Sequence, residues 1–168
     1  MKPPSAAVVL VLLSTLSPTK AFSQRVPEIP NPNLQDVAMA TWYSGFLPGV
    51  GPYNGPVIVY NPIVVDRAGP VLAAFFYAHE YCHVQLDHIR QEMFGTNMFN
   101  RSWVSQRLEL QADTCATRDL MRRGNRNAVR AAADYFFGQG PYQTVPTHPP
   151  GQVRANNIVA TAQRSGLR

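Results

Sequence analysis

Lysine is nearly missing from this chain. Only Lys2 and Lys20 occur, and both precede residue 24. Beyond that point the positive charge is all arginine, 13 against 10 Asp+Glu, a net of +3. So mild a balance gives no broad basic surface, and nucleic acid is not an expected partner. The arginine-rich "RDLMRRGNRNAVR" (residues 118–130) reads as a solvated face around a helix end, where arginine also suits the helix dipole.

Long apolar runs are scarce as well. The longest, "AAVVLVLLSTL" (residues 6–16), has 11 residues, short of the about 17 that a membrane-spanning helix needs. Preceded by Lys2 and followed by the small-x-small "AFS" before Gln24, it reads as a secretory signal peptide over residues 1–23. No cysteine follows the run, so a lipoprotein is not indicated. Export to a periplasm or medium, without stable membrane insertion, is the expectation. The two cysteines, Cys82 and Cys115, are then free to pair, although helical phase supports the pairing only in part and leaves it open.

What the chain does have is helical pattern. Residues 24–40 open with proline-rich "QRVPEIPNPN" and are expected to form an extended arm or short propeptide, with one domain over residues 41–168. "GVGPYNGPVIVYNPIVV" (residues 49–65) predicts one or two strands, broken at Pro62. A helix is expected from Pro70 through "VLAAFFYAHEYCHVQLDHI", apolar on every face at its start. Further helices are expected at about residues 103–123, 127–137 and 152–164, and no internal repeat is present. The fold class is α+β, a mainly helical domain with a small sheet before the first long helix.

Chemistry concentrates in "AHEYCHVQLDH" (residues 78–88). His79 and His83 stand four apart, one turn above each other on one helical face, with Glu80 beside the first. This H-E-x-x-H pattern offers two metal ligands and a carboxylate placed to take a proton from metal-activated water. With four His and four Glu in the chain, it arises by chance on the order of once in five hundred such sequences. A third ligand therefore decides the matter. His88 sits about 500° round the helix from His83 and is set aside. "ELQAD" (residues 109–113) puts Glu109 and Asp113 on one face of a second helix, Glu109 suited to ligate and Asp113 to hold the outer nitrogen of a ligating histidine. Three protein ligands leave one place for water, the pattern of a catalytic zinc.

The order "HEYCHVQLDH", "ELQAD", "THPPGQVR" (residues 147–154) resembles the gluzincin peptidases of the CAAX-prenyl-endopeptidase and HtpX/Oma type, over about residues 68–158. The resemblance implies a zincin-like fold, one zinc per chain on His79, His83 and Glu109, Glu80 as general base and Asp113 behind the ligands. It also suggests that His148 and Arg154 return to the active-site cleft as catalytic groups. Read without the resemblance, "THPP" equally caps the last helix, with Arg154 on its surface. The best-known relatives are membrane-embedded, whereas nothing after residue 23 here is long or apolar enough to span a bilayer, so their membrane-protein substrates are not carried over.

The expected activity is a zinc metalloendopeptidase acting on peptide or protein, with the strand "VIVY" (residues 57–60) holding an extended substrate by strand addition. The alternatives are an exported zinc-binding or chaperone-like module without proteolysis, a non-metal interaction domain, and a zinc hydrolase of peptidoglycan cross-links. Cleavage specificity and oligomeric state are not written in these residues.

Overall fold

The computed structural model describes residues 26–143 and 145–166. The expected signal peptide lies outside the described residues. A small three-stranded sheet precedes a helical body, so the α+β, mainly helical reading holds.

Strands β1 (Glu28–Pro30), β2 (Ala38–Leu47) and β3 (Gly51–Tyr60) lie in the order β1-β3-β2. β2 and β3 form an antiparallel hairpin from Ala38↔Tyr60 to Leu47↔Gly51, turning through Gly49 and Gly51, both at positive φ. β1 adds in parallel, Glu28 opposite Ile58. Part of the expected arm is therefore built into the sheet, tied further by Tyr81 Oη donating to Glu28 Oε1 at 2.8 Å. "VIVY" is the centre of the sheet and not its edge, because both neighbours pair with it; Val57 and Ile58 are fully buried. The edge expected there belongs to β2.

Helix α1 spans Pro62–Gln85. "PIVV", expected as strand, is helical: Asn61 Oδ1 accepts from the Ile63 and Val64 amides while its Nδ2 donates to the Pro32 and Leu34 carbonyls. Asparagine at the cap with proline next is a helix start, and it outweighs the β-branched residues that follow. Gly69, at φ 74° and ψ 162°, breaks the helix before Pro70, where the expected helix does begin anew. It ends earlier than expected. Asp87 takes the left-handed conformation, and a separate α2 (His88–Gly95) follows. Helices α3 (Arg101–Arg122), α4 (Arg126–Gly138) and α5 (Gly151–Gly166) lie within a few residues of expectation.

The core lies between α1, α3, α4 and α5 and is built largely from alanine. Ala112, Ala116, Ala128, Ala132 and Ala155 are fully buried, with Phe75, Phe136 and Ile158 filling the gaps they leave. Small side chains let the helix backbones approach closely. The tightest approach is at Gly151, where a Cβ would lie 2.4 Å from the Phe136 carbonyl oxygen. Only glycine fits there, and its position fixes where Arg154, one turn on, enters the core.

Cys82 and Cys115 are joined, with Cα atoms 6.0 Å apart, which settles the open pairing. The bond ties α1 to α3 one residue before His83.

Candidate metal centre

α1 and α3 pack face to face, and His79, His83 and Glu109 meet across their contact. His79 Nε2 and His83 Nε2 are 3.0 Å apart. Glu109 completes the triangle, its Oε2 3.3 Å from His79 Nε2 and its Oε1 3.3 Å from His83 Nε2. Ligands at 2.0–2.1 Å from a tetrahedral ion lie about 3.3 Å from one another, close to the sides of this triangle. Two nitrogens and a carboxylate suit a borderline-soft divalent ion better than calcium, which takes six or more oxygens. The group can hold a metal ion.

The outer nitrogens are held as well. Asp113, fully buried, places Oδ1 2.9 Å from His79 Nδ1. His83 Nδ1 lies 3.2 Å from Nδ1 of His88. Burial, with the neighbouring His83 next, pulls the His88 pKa down to about 4, so this ring is neutral and accepts from the His83 N–H. With the Nδ1 protons so engaged, both Nε2 atoms face the triangle. His88 lies behind His83 and outside the triangle, because the break at Asp87 swings it back beneath that ring. No helical continuation would have placed it there.

The electrostatics match a cation site. Burial disfavours a charged His79, but the Glu109 charge and the hydrogen bonds to Asp113 and Glu109 outweigh it and lift the pKa to about 10. Glu109 is pushed well below its usual carboxylate value: burial opposes this, and the charge and hydrogen bond of His79 are the largest of the effects that overcome it. Positive charge between these groups is favoured, and a metal ion held there would take the place of the His79 proton.

Arg154 reaches the centre from α5, but not as a free donor. It is 7% exposed, stacks 4.0 Å over the Phe136 ring, and grips both Asp113 oxygens while its Nη1 lies 3.3 Å from Glu109 Oε2. The surface placement is excluded: Arg154 returns to the cleft, where its guanidinium is engaged by both acids. His148 remains open to solvent, with Nε2 3.7 Å from Glu109 Oε2 and Nδ1 3.1 Å from Thr147 Oγ1. It stands on the wall of a cleft of about 370 Å³ that also contains Glu80, Met39, Tyr142 and Glu92.

Glu80 is buried in this cleft, and its Oε2 accepts from the Ala40 amide of β2 at 2.6 Å. Nothing in the sequence pointed to Ala40 as the group that holds Glu80, since β2 was not foreseen. Ala40 pairs with Ile58 on one side of β2 while its N–H turns to Glu80, so the other edge of β2 faces the cleft. No family model matches the chain, and no curated protein or solved structure is significantly similar to it, so the site is read from its own geometry.

Proposed function

We propose that the protein is an exported zinc-dependent metalloendopeptidase of gluzincin type. The observation that carries this reading is a buried carboxylate, Glu80, in the same cleft as a His79, His83 and Glu109 triangle of tetrahedral dimensions. His79, His83 and Glu109 would hold the zinc, with Asp113, His88 and Arg154 fixing their orientation. A bound zinc supplies a Lewis acid that acidifies water and polarises a peptide carbonyl.

The residues of the chain do the rest. Extended substrate pairs with the free edge of β2, through main-chain contacts that select backbone more than side chain. Glu80 takes the proton of the attacking water at a carboxylate oxygen and passes it to the leaving amine as the C–N bond breaks. The Ala40 amide keeps Glu80 on the cleft side of α1. His148, the donor most open to the cleft, hydrogen-bonds the developing oxyanion.

Casein and purified peptidoglycan sacculi, each incubated with zinc-loaded protein and with Glu80→Gln, test the proposal. Glutamine keeps the acceptor for Ala40 and loses the base, so casein cleavage is expected to drop by about a hundredfold or more with zinc retained. Equal cleavage by the variant would remove the mechanism. Digestion of sacculi and not casein would move the substrate to cross-link peptides.

A further inference from the structure

Residues 93–103 put five large apolar side chains into solvent. Met93 is 57%, Phe94 78%, Met98 87%, Phe99 91% and Trp103 65% exposed. Isolated exposed apolar residues need no explanation, but five within eleven positions do. The turn that carries them is not loose. Asn97 Oδ1 accepts from the Phe99 and Asn100 amides, Asn100 Oδ1 accepts from the Asn97 amide, and Asn100 Nδ2 donates to the Gly95 carbonyl. The hydrogen bonds hold the apolar side chains outward at the junction of α2 and α3.

The surrounding charge is mainly positive. Arg90, Arg101 and Arg107 are exposed around the tip, and the Arg107 guanidinium lies 5.2 Å over the Trp103 ring. Glu92 is the one acid between residues 88 and 108, and it turns toward the cleft to accept from Ser105 Oγ at 2.6 Å. A tip of Phe and Met with Trp and Arg at its base matches the layers of a bilayer surface: acyl chains outermost to the tip, then interface, then anionic headgroups.

We propose that residues 93–103 are an interfacial anchor that seats the protein on a bilayer containing anionic lipid. The exposures of Met98 and Phe99 approach those of an extended chain, so these groups protrude and leave no concavity for a partner side chain; a fluid bilayer accepts protruding groups of any shape. No helix among the described residues is long and apolar enough to cross a membrane, so the association is peripheral. Arg101 and Ser105 also line the cleft, which places the anchor beside it. The inference stands apart from the zinc reading.

Flotation of full-length mature protein with phosphatidylglycerol–phosphatidylcholine vesicles, and with phosphatidylcholine vesicles alone, tests it. The protein is expected to float with the anionic vesicles, less so in high salt, and about tenfold less as Phe94→Ser/Phe99→Ser. Arg90→Gln/Arg107→Gln should lose the preference for the anionic lipid. Circular dichroism checks that each variant is folded. No flotation at low salt, or equal flotation of the serine variant, overturns the proposal. So does concentration-dependent self-association that the same serines abolish in protein that does not float, since the occupant is then a second copy.

Discussion

Arg154 binds Asp113 through two parallel hydrogen bonds, Nε to Oδ2 at 2.8 Å and Nη2 to Oδ1 at 2.7 Å, and Asp113 in turn sits 2.9 Å from His79 Nδ1. The orientation of His79, one corner of the candidate metal triangle, is thereby set from α5, 75 residues away in sequence. Removing the arginine leaves Asp113 buried with the His79 ring as its remaining charged partner and one carboxylate oxygen without its ion pair. Arg154→Met is expected to cost about 3–5 kcal/mol of stability in urea unfolding, and Arg154→Lys to recover only part, because an ammonium cannot bind both oxygens at once.

His88 has the opposite profile. It touches the centre only through His83 Nδ1, so His88→Phe should leave the helices in place and weaken metal binding by about 10–100-fold, measured by chelator competition. An unchanged affinity would show that the His83 ring is held by its packing alone.

Much of this was legible in the sequence, and the parts that were not have physical reasons. The spacing of His79, His83, Glu109 and Asp113 survives into the fold because each pair lies within one helix, where four residues make about one turn. Asn61 and Pro62 carried a readable helix start, masked by the β-branched run after them. Strand order was not readable: β3 became central only because β1 and β2 both pair with it, a long-range outcome that local pattern does not encode. The return of His88 hangs on one non-glycine residue, Asp87, adopting φ 56°.

The disulfide closes a loop of 33 residues that contains α2 and reaches the metal face of both long helices. On the chain-entropy account, Cys82→Ser/Cys115→Ser should lower stability by about 3–4 kcal/mol. Thermal unfolding with and without reductant would show the same loss in wild type and none in the variant.

Stability of the metal-free protein should depend on pH from both sides. Burial would raise the Asp113 pKa, but the charge and hydrogen bonds of Arg154 outweigh it and hold the group below its ordinary 3.8. A depressed carboxyl contributes stability that is complete above the unfolded value and is lost as pH falls through the folded one. His79, raised to about 10, contributes stability that is complete below its unfolded 6.5 and is lost as pH rises toward 10. His88, lowered to about 4, costs stability as pH falls from its unfolded 6.5 toward 4. Urea midpoints should therefore peak near about pH 6.5 and fall on both sides, and Asp113→Asn should flatten only the most acid part.

His79, His83 and Glu109 form one group that could hold a metal ion, proposed above to be zinc. Elemental analysis of mature protein dialysed against zinc, in parallel with Glu109→Ala, tests this directly. One zinc per wild-type chain, lost in a folded Glu109→Ala, is the predicted result. No bound metal in the wild type, or full retention of zinc by the variant, would contradict it.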